Sequence, residues 1–269
     1  MREWTERFTA VVERELRAVL RSRSVWVLAV GFFALTLAAG LFSGRSGYVP
    51  LVLALLTPVE VLAPVLVVAL GYRAVLGDRL RGELAVFETF PLSPLAYGLG
   101  VYCGRLAVAL GVVFVTLVAT ALVVPAFNPS PAALTRTTGL DSPVYYARFV
   151  ALTLVFVGVV MAVTVLVSSV ARTARRGLVW GVALLLLLVV GFDLAIVAGV
   201  GQHWITERGL GVALAASPLS AYRGLVMTYA VGPAVTMPVR AAAPVASVAS
   251  LLVWTALSLL AAAGLTGIE

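Results

Sequence analysis

Six stretches of the chain are each long and apolar enough to cross a bilayer as a helix, and no other feature restricts the fold as much. They run roughly from Val25 to Phe42, Pro50 to Tyr72, Leu99 to Val124, Tyr146 to Val170, Leu178 to Val200 and Ala242 to Thr266. A hydrocarbon core takes about 20 predominantly apolar residues per helix, because backbone N–H and C=O groups find partners there only within the helix itself. With 62% hydrophobic and 12% charged residues and a mean hydropathy of +1.08, too little polar chain remains for a water-soluble catalytic domain. The expected class is an all-α integral membrane protein with six transmembrane helices. It is organised as a cytoplasmic interfacial helix at residues 1–24 and one transmembrane domain at 25–269.

The first 24 residues place Trp4, Phe8, Val11, Val12, Leu16, Val19 and Leu20 on one helical face and six arginines mostly on the other. That pattern predicts an amphipathic helix lying in the membrane interface. A cleaved signal peptide is disfavoured, because the polar lead is long and the apolar run exceeds the usual length of about 7 to 15 residues. Arginine also sets the orientation. The N-terminal segment carries six, the 73–98 connection three and the 171–177 connection three, against five (Arg45, Arg136, Arg208, Arg223, Arg240) on the opposite side. The positive-inside rule then puts the N-terminus and, after six spans, the C-terminus in the cytoplasm, with the plasma membrane as the expected location.

Several chemistries are excluded at once. All 19 basic residues are arginine. Without lysine the chain carries neither an ordinary P-loop ATPase site nor a Schiff-base lysine. The single histidine, His203, and single cysteine, Cys103, make neither an H-E-x-x-H zinc site nor an intrachain disulfide. The expected topology also puts them on opposite sides of the membrane, so no metal site, catalytic residue or bound cofactor is expected. The net charge of +7 belongs to the span ends rather than to nucleic-acid binding.

Two connections carry more information than the others. The segment from Gly201 to Arg240 is long, weakly polar and split at Ser217-Pro218, which predicts a broken helix, re-entrant or lying at the outer surface; a loosely ordered loop is the alternative. The stretch from Gly71 to Arg105 is charged yet lies between very apolar segments. Its Leu80, Leu84 and Phe87 stand at i, i+4 and i+7, and Pro91 and Pro94 close it, which predicts a cytoplasmic helix over about 78–90 ending on a sharp elbow. Such a helix either docks on a soluble partner or merely connects spans, and spacing alone leaves both open.

The run D-R-L-R-G-E-L-A-V-F-E-T-F-P-L-S-P-L-A-Y-G-L-G-V-Y-C-G-R, residues 78–105, resembles the signature of ABC-2 type transporter permeases. Asp78, Arg79, Gly82, Glu83, Pro91, Ser93, Gly100 and Arg105 occupy positions of that pattern, Glu83 with Glu where Thr is usual; Val101 stands where Lys is usual. Arg14 to Leu28 looks like the family's opening interfacial helix. The segment from Ser217 to Leu225 is similar to the N-P-x-x-x-x-R element of the NosY-like branch of copper-processing, nitrous-oxide-reductase maturation systems, with Ser217 in place of Asn. The resemblance implies a permease subunit without enzymatic activity of its own. It would pair with a second copy, as a homodimer, and with a separate ABC ATPase subunit that binds ATP and Mg. It further implies an ATPase contact made by Asp78, Arg79, Arg81, Gly82, Glu83 and Glu88, so that charge reversal at Arg79 or Glu83 should lower coupled ATPase activity. The work done would be export, or mechanical work delivered to an extracytoplasmic partner protein.

Within the spans two acids stand out, Glu60 between Pro58 and Pro64, and Asp193 in V-G-F-D-L-A. An intramembrane carboxyl group costs several kcal/mol unless paired or wetted, which makes each a candidate for a translocation path; a protonated acid satisfied by a neighbouring helix is the alternative for both. Arg148 and Arg105 are candidate partners, but the sequence does not show which helices touch. A secondary transporter using Glu60 or Asp193 as an ion or proton carrier is the rival reading; it predicts an inverted repeat, of which only the Pro-flanked second span is visible. An intramembrane protease is disfavoured by the lack of paired histidines and of a G-x-S-x-G elbow.

Overall fold

A computed structural model describes residues 2–43, 47–83, 93–127, 141–234 and 243–266, apart from a few side chains at the edges of these ranges. Among the described residues every element is helical: α1 (Arg2–Leu20), α2 (Arg23–Phe42), α3 (Tyr48–Gly71), α4 (Ala74–Leu80), α5 (Pro94–Phe127), α6 (Pro143–Val170), α7 (Ala174–Gly201), α8 (Glu207–Ala216), α9 (Pro218–Val231) and α10 (Pro244–Thr266). Six of these segments are long and apolar enough to cross a membrane, the second being α3 with α4. Each overlaps one of the stretches expected from hydropathy. The protein is an all-α, multi-pass membrane protein in its helix pattern.

Local chemistry sets several helix starts. Ser142, Thr173 and Ser217 each accept a hydrogen bond from a backbone N–H in the first turn of α6, α7 and α9, and Pro143 and Pro218 occupy the first helical position, where a missing N–H costs nothing. At the start of α3, the Tyr48 and Val49 N–H groups donate to the Asp141 carboxylate at 2.8 and 3.0 Å, joining this end of α3 to the segment that leads into α6. α3 and α6 form the centre: 61% of the apolar window of each is buried, against 17% for α2 and α7 and 22% for α10. Leu51, Leu55 and Val59 of α3 and Phe149, Phe156 and Met161 of α6 fill the core between them. The outer helices bury less because their remaining apolar faces point away from the bundle.

α1 lies across the start of α5. This close approach needs two glycines: a Cβ on Gly100 would stand 2.7 Å from Val11 Cγ1, and one on Gly104 would stand 2.6 Å from Glu15 Cβ and 2.9 Å from the Val12 carbonyl oxygen. Glycines four apart on one helix face let a second backbone approach closely.

The helix expected over 78–90 differs from the one observed. α4 begins at Ala74 and stops at Leu80, and Gly82 adopts a left-handed φ of 73°, which ends the helix where a residue with a Cβ would be strained. Leu84, Phe87, Glu88 and Pro91 lie outside the described residues. The break expected at Ser217-Pro218 is present: α8 and α9 meet there at a bend of 112°. Ser217 and Pro218 at the corner are buried, so the pair folds into the bundle rather than running as a surface loop.

Candidate functional site

Glu60 of α3, Asp193 of α7 and Arg223 of α9 converge on one point. Arg223 forks onto Glu60, Nε donating to Oε1 at 2.9 Å and a terminal NH2 to Oε2 at 2.7 Å, while its other terminal nitrogen stands 3.4 Å from Asp193 Oδ2. Ser220, one turn earlier on α9, donates to Asp193 Oδ1 at 2.9 Å. The bidentate pair is the strong form of this interaction, because two parallel N–H···O bonds fix both charge and orientation. The environments of the three side chains differ sharply. Glu60 is 3% exposed, Asp193 37% and Arg223 43%. The site is thus a buried carboxylate bridged by a half-exposed guanidinium to a second, partly exposed carboxylate.

Local sequence explains the placement. Glu60 lies 12 residues from Tyr48, about 18 Å into α3, and Asp193 eight residues from Gly201, about 12 Å from the same end of the bundle. Only a segment that folds inward from that end brings a cation to both, and the corner at Ser217 does so. Pro64 has no N–H to give the Glu60 carbonyl, so the backbone oxygen of Glu60 is freed as well. Next to Arg223, Tyr222 is fully buried, stacked on Phe156 with ring centroids 4.6 Å apart, and its hydroxyl is 2.8 Å from Thr153 Oγ1. This anchors α9 against α6 and aims Arg223 at α3.

The two candidate partners named from the sequence, Arg148 and Arg105, are engaged elsewhere. Arg148 donates to the Tyr229 carbonyl at 3.0 Å, and Arg105 to Glu15 at 2.9 Å and to the Leu70 carbonyl. A linear reading groups Arg223 with the loop arginines, because it gives no sign that its segment turns inward. The Ser-Pro break six residues before it was the available signal.

A second cluster occupies the opposite end. Asp78, 1% exposed, accepts from Arg14 and Arg81 at 2.5 Å each and from the Tyr97 hydroxyl at 2.7 Å. Arg14 also reaches Glu15 at 2.8 Å and Glu83 at 3.0 Å, and Arg81 reaches Glu83 at 2.6 Å. Arg105 closes the network on Glu15, which is 3% exposed. Burial works against the Arg14 charge, yet hydrogen bonding to Asp78 and the charges of Asp78 and Glu15 hold its pKa above the ordinary value. The hydrogen bond from Arg81 pulls the Glu83 carboxyl below its usual range.

This geometry divides the six residues expected at the ATPase contact. Asp78 faces inward and joins α1, α4 and α5. Arg79 donates to the carbonyls of Ser169 and Ala171 at 2.7 and 3.0 Å, satisfying the end of α6, while the Ser168 hydroxyl accepts from the Val75 and Leu76 N–H groups at the start of α4. Arg81, 61% exposed, and Glu83, 38% exposed, present charge outward beside exposed Gly82; Glu88 lies outside the described residues. Cys103 is on α5 and His203 in the turn after α7. Among the described residues no group of three or more His, Cys, Asp or Glu side chains is placed to hold a metal ion.

No family model matches the chain, and no curated protein matches it.

Proposed function

We propose that the chain is the membrane subunit of an ATP-driven ABC-2 type transporter or related machine, set in the plasma membrane with both termini cytoplasmic. In this reading α1 lies in the cytoplasmic interface, the α8–α9 pair dips in from the outer face, and a second copy completes the permease. A separate ATPase subunit presses on the corner formed by Arg81, Gly82 and Glu83. The observation that carries the reading is the ionic network on Asp78. Buried bridges tie α4 to α1 and α5, and Arg79 ties it to α6, so a displacement of the exposed corner moves the cytoplasmic ends of four helices together. Export, or work delivered to an extracytoplasmic protein such as a copper enzyme under maturation, are both outlets for that motion.

The test is co-purification with the ATPase encoded beside this chain, followed by ATPase activity with Arg81→Gln and Glu83→Gln. These exposed positions are cleaner probes than Arg79, which also holds the end of α6. Activity should fall in both variants while the permease still co-purifies as a folded complex with only a modest loss of melting temperature, since Asp78 keeps Arg14 and Tyr97 when Arg81 is removed. A complex with unchanged activity, or no complex at all, refutes the reading.

The convergence of Glu60 and Asp193 favours a second reading, an ion- or proton-coupled secondary transporter. Its signature would be uptake driven by an imposed ion gradient without ATPase, abolished by Glu60→Gln.

A further inference from the structure

At the elbow between α1 and α2 an apolar groove of about 430 Å³ opens on the outside of the bundle. Its walls are the end of α1 (Leu16, Leu20), one face of α2 (Val25, Ala29, Phe33) and the α5 surface around Gly111. Two arginines stand in the elbow itself, between the groove-lining residues Leu20 and Val25. Arg21 and Arg23 are exposed, and neither guanidinium makes a hydrogen bond or ion pair among the described residues. Trp26, also in the groove wall, donates its indole N–H to the Leu20 carbonyl at 2.9 Å and fixes the elbow. A tryptophan with its ring against apolar surface and its N–H at the polar end marks the headgroup level of a bilayer.

The dimensions fit one occupant. From Val25 to Phe33 the α2 wall rises through eight residue steps, about 12 Å at the helical rise, which is close to one leaflet of a hydrocarbon core about 30 Å thick. An apolar slot one leaflet deep, with two uncompensated cations in the turn that joins two of its walls, is complementary to a molecule with a long hydrocarbon chain and an anionic head. We propose that this groove holds an acyl chain of an anionic phospholipid whose phosphate is bound by Arg21 and Arg23. Basic residues beside a helix–helix groove on the cytoplasmic side bind anionic headgroups, and each contributes about a fivefold gain in affinity. The site makes the α1–α2 elbow sensitive to the charge of the surrounding lipid, and does so whether or not the chain partners an ATPase.

The test is native mass spectrometry of the purified chain titrated with phosphatidylglycerol and with phosphatidylcholine of identical acyl chains. Wild type should retain phosphatidylglycerol preferentially, and the double substitution Arg21→Gln/Arg23→Gln should remove roughly a 25-fold preference. Gly111→Leu should weaken retention of both lipids. A Cβ at Gly111 meets nothing within 4 Å, so the larger side chain enters the groove without displacing the fold; Ala29→Leu serves the same purpose from the facing wall. Equal retention of the two lipids by wild type overturns the proposal. So does competition by glycerol phosphate as effective as that by intact lipid, which leaves the groove no part. A lipid-free dimer dissociated by Gly111→Leu also overturns it, since a second copy would then cover the groove.

Discussion

Removing Arg223 should damage the protein far more than removing the charge of its partner Glu60. The cost is set by the group left behind. Arg223→Met leaves the Glu60 carboxylate, 3% exposed, without the two hydrogen bonds at 2.7 and 2.9 Å that compensate its burial. Breaking a buried pair this way typically costs 3–5 kcal/mol, and because the arginine is 43% exposed and so partly screened the lower end applies, about 3 kcal/mol. Glu60→Gln leaves instead a half-exposed guanidinium that still has Asp193 within 3.4 Å, and should cost about 1 kcal/mol. At roughly 2–4 °C per kcal/mol, thermal unfolding in detergent followed by tryptophan fluorescence should show Arg223→Met about 6–12 °C below wild type and Glu60→Gln about 2–4 °C below. The double variant Glu60→Gln/Arg223→Met should be more stable than Arg223→Met alone, since the orphaned charge is gone. A melting temperature for Arg223→Met at or above that of Glu60→Gln, or a double variant showing the sum of the two losses, refutes the reasoning.

Two further outcomes follow from the opposite end. Gly104→Val places a side chain against the Val12 carbonyl and Glu15, neither of which has room to yield, and should cost about 1–3 kcal/mol by forcing α1 off α5; faster proteolysis of the α1 segment, with α3 and α6 unaffected, is the readout. Glu83 has a carboxyl pKa lowered from 4.5 by the Arg81 hydrogen bond. Its folded value lies below its unfolded one, so its contribution to stability is present above that unfolded value and is lost as pH falls through the folded value. Between pH 6 and 3 the melting temperature of wild type should therefore fall more steeply than that of Glu83→Gln; parallel curves would rule out this contribution.

The sequence alone was enough for whatever follows from run length and from punctuation. The six long apolar helices were legible because a helix that crosses hydrocarbon must be apolar over nearly its whole length, a signal that needs no tertiary context. The corner at Ser217-Pro218 was legible because proline cannot continue a helix beyond its first turn. Glu60 and Asp193 stood out because ionisable groups are costly in such segments. Which cation answers them was not legible. Arg105, Arg148 and Arg223 are the same residue type near the ends of apolar segments, and only the inward fold of α9 against α6 decides that Arg223 reaches both acids. The roles of Asp78 and Arg79 were hidden for the same reason. Side by side in a charged stretch they read as surface, and it is the packing of α1 through Gly100 and Gly104, together with the docking of α4 on the end of α6, that turns them inward. Charge pattern along a chain reports where polar groups occur. Which of them touch depends on helix crossings, and these are set by contacts between residues far apart in sequence.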